Sequence, residues 1–119
     1  MTEQKKTGGK VQISDEAIAV IASIAAQEIK GIVEMSSSIA GELVEKLGRK
    51  SSGKGVRIRR LSEGLILDLF VIMDYGIGIP QVAWEGQKSV KSAVERLTGL
   101  PVLEVNVTVQ GIRYPKEIV

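Results

Sequence analysis

Cysteine and histidine are both absent from this 119-residue chain, and aromatic side chains are scarce: one tryptophan, one phenylalanine and two tyrosines. The missing thiol and imidazole exclude disulfides, thiolate nucleophiles, Cys/His zinc sites and every triad built on histidine. A carboxylate-only magnesium or calcium site survives that filter, but no D-x-D-x-D loop or tight acidic cluster supplies one. No metal or organic cofactor is therefore expected, and no catalytic residue is assigned. Long apolar runs are missing too. The longest are Ala17 to Ala26, broken by Ser23, and Leu65 to Met73, broken by Asp68, against the ~20 residues of a spanning helix. The first ten residues are polar and charged, unlike a secretory signal. These absences predict a cytoplasmic protein and leave docking on a membrane protein open. The net charge of +2 is too small to imply nucleic acid by itself.

What is present reads as one α+β domain over residues 11–112, between a polar N-terminal tail (1–10) and a short C-terminal tail (113–119). The clearest segment runs from Leu65 to Gln110. Leu65, Leu67, Leu69 and Val71 share one face of an extended run, because strand side chains alternate with period two. Gly76 to Pro80 breaks that run and opens a helix, which Gly99 stops and Pro101 keeps from continuing. Leu103, Val105, Val107 and Val109 then alternate with Glu104, Asn106, Thr108 and Gln110, the pattern of a half-buried strand. Strand, helix and strand at this spacing imply a crossover and a parallel pair.

Upstream, Ser14 is a helix N-cap with Asp15 and Glu16 behind it. That helix is expected to reach about Lys30, with Gly31 as its left-handed stop. Ile18, Ile21, Ala22, Ala25 and Ile29 form its core stripe; Ser23 falls on the opposite side, and Val20 and Ile24 widen the apolar arc. Ile32 to Met35 reads as a short strand, Ile39 to Leu47 as a short helix and Gly48 to Gly55 as a polar loop. Val56 to Leu61 pairs with Leu65 to Asp74 as a hairpin. Placing Leu61 opposite Gly64 sets Ile58 against Leu67 and Arg57 against Asp68, apolar with apolar and cation with carboxylate. In the second long helix, Ile79, Ala83, Gly86, Val90, Ala93, Val94 and Leu97 line one face. The expected architecture is a two-layer sandwich. A mixed sheet (antiparallel hairpin plus βαβ crossover) carries both main helices on one face.

Several features are candidate sites. Gly48 to Lys54 matches the first seven positions of the phosphate-loop pattern, but Gly55 replaces its hydroxyl and a strand follows where a helix is needed. Lys46, Arg49, Lys50, Lys54, Arg57, Arg59 and Arg60 crowd a stretch without acidic residues. They give an alternative reading as an RNA- or other anion-binding surface, although no aromatic residue lies nearby to stack on bases. Trp84 falls with Gln81, Lys88, Lys91 and Glu95 on the helix surface opposite the core stripe. A tryptophan there is either an interface anchor or a ring lying over lysine stems. Ile66, Phe70 and Ile72 make a second apolar stripe, among Arg57, Arg59, Asn106 and Thr108. An apolar patch on a polar face suggests a partner, a second copy or cover by the 39–47 segment. Asp68 and Asp74 share a face but stand about 20 Å apart along an extended strand, too far for a glycosidase-type pair.

Val11 to Ile18, Ile29 to Val33, Gly53 to Ile58, Tyr75 to Pro80, the helix to Leu100, and Val105 to Gly111 occur in an order and spacing that resembles the alkaline shock protein family of Gram-positive bacteria. The resemblance covers nearly the whole chain. It implies a small cytoplasmic protein without known catalysis, tied to alkaline and cell-envelope stress. It also implies self-association, or attachment to the membrane through a membrane-anchored protein partner. It supplies no catalytic motif. The expectation is a non-enzymatic interaction module using Trp84, Lys88, Lys91, Ile66, Phe70 and Ile72.

Overall fold

The computed structural model describes residues 8–36 and 55–114. The helix expected over Ile39 to Leu47, the Gly48 to Lys54 pattern and the basic residues Lys46, Arg49, Lys50 and Lys54 lie outside the described residues.

Ser14 opens α1 (Asp15–Gln27) as expected: its Oγ accepts the Ala17 N–H at 3.1 Å, with Asp15 and Glu16 in the positive first turn. The helix stops earlier than the sequence pattern predicts. Ile29 donates to the Ala26 carbonyl and Ile32 to that of Ile29, so tight turns replace the last helical turn. Gly31, at φ +107°, leads into β1 (Ile32–Met35) rather than capping the helix. Ser23, placed on the solvent side by the sequence, is buried, and Ile24 is 57% exposed. The reason is that α1 has two neighbours, the sheet and a second helix, which together cover Ala19, Ser23 and Ala26. Small side chains allow the close approach, and Ser89 Oγ donates across it to the Ala25 carbonyl at 3.1 Å.

β3 (Leu65–Asp74) is the central strand. Leu65, Leu67, Leu69, Val71 and Met73 are all buried, on the face that both helices cover. β2 (Val56–Arg60) pairs antiparallel with β3 in the expected register, Arg57 opposite Asp68 and Ile58 opposite Leu67. β1 pairs with the other end of the same edge, Met35 opposite Val71. Between them Phe70 donates to the Gly55 carbonyl at 2.8 Å and accepts from the Ser36 N–H at 2.7 Å. β1 and β2 thus lie end to end as one interrupted edge, left at Ser36 and rejoined at Gly55.

The chain crosses over through α2 (Ile79–Thr98) to β4 (Val102–Arg113), which runs parallel to β3 along its other edge. The sheet is therefore mixed, as the pattern implied. α2 starts beside Pro80 and ends at Gly99, φ +76°. Its buried row is Val82, Gly86, Val90 and Val94. Val82 takes the place given to Ile79 in the sequence stripe, and Leu97 is 57% exposed. Both misplaced residues sit in terminal turns, where the wheel no longer faces the neighbours. At Gly86 a Cβ would stand 3.1 Å from Ile32 Cδ1, so the glycine lets helix and strand close up. Gly86→Leu is expected to destabilise by about 1–3 kcal/mol through overpacking; thermal denaturation measures it.

β4 departs from its simple alternation at Leu103. The register steps from Leu65/Val102 to Ile66/Glu104, leaving Leu103 as an extra residue, 45% exposed, while Val102 fills the core position. A second shift, between Val109 and Gly111, does the same at Gln110.

Candidate functional site

On the sheet face away from the helices, Asp68 is the one buried carboxylate among the described residues. Arg57 Nε donates to Oδ2 at 3.0 Å and Arg59 Nε at 3.1 Å; Arg59 Nη2 and Asn106 Nδ2 each donate to Oδ1 at 3.0 Å. Burial pushes this carboxyl upward, but the hydrogen bonds from Asn106, Arg59 and Arg57 and the Arg59 charge outweigh it and hold it below the usual aspartate value. With both oxygens occupied and ionised near neutrality, Asp68 is suited to holding strands together and unsuited to donating a proton. Asp74 pairs separately with Arg113 at 3.0 Å.

The stripe around Asp68 is less open than the sequence suggested. Phe70 is buried, at 8% exposure, and Ile66 and Ile72 are half-buried. The alternative anion surface is also committed internally where it is described. Arg57 and Arg59 hold Asp68, and Arg60 donates to Asp15 at 2.7 Å and to the Ile13 carbonyl at 2.6 Å. Arg60 also lines a cleft of about 430 Å³ with Val11, Gln12, Ile13, Leu97 and Leu100.

Trp84 stands on α2, 52% exposed, with Lys88 Nζ 4.0 Å from the centroid of its ring. A shallow groove beside it is lined by Ile29, Glu85, Ser89 and Ser92. Lys91 does not join them. It bonds Glu95 at 3.0 Å and the Val102 carbonyl at 2.8 Å. Trp84 with Lys88, and Ile66 with Phe70 and Ile72, lie on opposite layers of the sandwich and do not form one contact surface.

Sequence reasoning missed how α2 treats β4. Gln87 Nε2 donates to the Val105 carbonyl at 2.8 Å, Lys91 to that of Val102, and Glu95 Oε2 accepts the Val102 N–H at 2.9 Å. That backbone bond and Lys91 lower the Glu95 pKa. The i, i+4 spacing of Gln87, Lys91 and Glu95 marks a polar row, but only the crossover aims it at a strand edge.

Among the described residues no group of three or more acidic, histidine or cysteine side chains is placed to hold a metal ion, and no helix is long and apolar enough to cross a membrane.

Residues 3–114 match the model of the alkaline shock protein 23 family, described as having a cell envelope-related function. Two Bacillus subtilis proteins without an assigned role are similar over most of their length. YloU is 39% identical over 107 residues, 88% of this chain and 89% of that protein. YqhY is 36% identical over 106 residues, 89% of this chain and 78% of that protein. A Streptococcus pyogenes homolog of the stress response regulator gls24 is 26% identical over 106 residues, and the match spans 59% of its length. Among solved structures, two MamM-CTD variants share the fold with TM-scores of 0.50 and 0.51 at 17% and 16% identity. They cover 81% and 82% of this chain, and 95% and 99% of theirs.

Proposed function

Because this chain belongs to the alkaline shock protein family that its sequence resembles, we propose that it is a non-enzymatic assembly module serving the cell envelope. In this reading it associates with copies of itself and works in the cytoplasm, next to the membrane through a protein partner. One observation carries the reading: a half-exposed tryptophan on the outer surface of α2, roofed by Lys88. Large rigid aromatics with a cationic neighbour are the side chains that dominate interface energies. Several described carboxylates serve the scaffold. Asp68, Asp74, Asp15 and Glu95 are each engaged in a structural ion pair, and Phe70 is packed away rather than offered to a ligand.

The test is sedimentation velocity of wild type and Trp84→Ala over a wide concentration range. Wild type is expected to associate reversibly. Trp84→Ala is expected to associate more weakly while losing under about 1 kcal/mol of stability, since it removes one exposed cation–π contact and no core. Equal association of the two proteins would remove Trp84 from the interface.

A further inference from the structure

We propose that the copies join through the outer edge of β4, one β4 pairing antiparallel with another about a two-fold axis beside Thr108. This rests on the assembly reading above and names the surface it uses.

β4 is an edge strand of twelve residues, and no described strand pairs with its outer side. Long edges invite pairing with another chain unless they are charged, interrupted by proline or covered. Here the protection is partial. The outward groups of Val102 and the outward carbonyl of Val105 are held by Lys91, Glu95 and Gln87. Backbone groups alternate sides along a strand, so those of Val107 and Val109 face the same way as Val105, and no α2 side chain bonds them. The bulge at Gln110 then ends the open stretch. From Val105 to Ile112 there is no charged residue and no proline.

The occupant follows from the charges. Glu104 and Arg113 are the only charged residues of β4, and they stand near its opposite ends. Antiparallel pairing of two copies brings each Glu104 end towards the other's Arg113 end; parallel pairing would set like beside like. Centring the pair on Thr108 uses the groups that no described residue bonds, and no others. Val107 of one copy then exchanges both backbone hydrogen bonds with Val109 of the other, Asn106 faces Gln110, and the bonds from α2 to Val102 and Val105 stay intact. Thr108 is exposed and meets its own copy across the axis, a cross-strand threonine pair. α2 flanks the seam in each copy.

Charge swapping at Thr108 tests this on the full chain. Thr108→Lys and Thr108→Glu each place like charges side by side across the axis. Each variant alone is expected to stay monomeric at loadings where wild type associates, and an equimolar mixture is expected to associate again. Melting curves check that the variants fold. Amide exchange gives a second readout: Val107 and Val109 N–H are expected to be slowed at high wild-type concentration and released on dilution. Association of either variant alone as strong as wild type, or no recovery in the mixture, overturns β4 pairing and leaves the assembly reading standing. A wild-type chain that is monomeric throughout overturns both.

Discussion

Gly55→Val is expected to cost about 3–4 kcal/mol of folding stability, a large part of the ~5–15 kcal/mol of an ordinary domain. Two independent terms add. At φ +78° a β-branched residue suffers the left-handed clash of its Cβ with the backbone, worth about 1–2 kcal/mol. The new Cβ would also stand 2.7 Å from Met35 Cβ and 3.1 Å from the Phe70 carbonyl oxygen. Neither neighbour can yield easily, because Met35 Cβ is fixed to β1 and the Phe70 carbonyl accepts the Ser36 N–H. Gly55 is the point at which the chain rejoins the interrupted edge, so the damage falls on the junction of β1 and β2 with β3. Urea denaturation of Gly55→Ala and Gly55→Val measures it. Alanine carries the same Cβ and so meets both terms; it is expected to lose most of that amount, with the two valine methyls adding the remainder. A valine variant within about 1 kcal/mol of wild type would contradict this account of the junction.

Asp68→Ala is expected to cost about 2 kcal/mol near neutral pH. Removing one partner of a buried ion pair typically costs about 3–5 kcal/mol, but Arg57 and Arg59 are 32% and 42% exposed and regain water. The effect depends on pH with a definite sign. The folded-state pKa of Asp68 is lowered, so its contribution is fully present above the unfolded value of about 4. It is lost as pH falls through the lower folded value. Wild type and Asp68→Ala should therefore differ most above about pH 4 and converge under stronger acid. Urea midpoints measured from neutral pH down to strong acid decide it. A gap that stays constant, or widens, as pH falls would contradict the assignment of Asp68 as an ionised strand tie.

The parts of the fold legible in the sequence are those set by short-range pattern. The β3 alternation, the Ser14 cap, the Gly99 stop and the Arg57–Asp68 register each depend on residues near in sequence or on one strand pair. What was not legible depends on a third element. Ser23 is buried because α1 meets a helix as well as a sheet, and Ile24 is exposed because neither reaches it. Leu103 turns outward because a one-residue bulge shifts the face of everything before it, which alternation alone cannot reveal. The tandem placement of β1 and β2 required knowing that Ser36 and Gly55 meet at Phe70. For the candidate site, Trp84 and Lys88 are visible in the sequence as an exposed pair at helical spacing. The same wheel groups Lys91 with them, yet its long side chain turns to the β4 backbone. The partly protected edge of β4 is invisible there, since its guards come from α2 and depend on the crossover bringing that helix alongside.

Sedimentation equilibrium of the wild-type chain is the most direct measurement of whether this molecule is built to assemble. The expected result is an average mass that rises reversibly above the 12.8 kDa of one chain as concentration increases. A single 12.8 kDa species at every loading would contradict it.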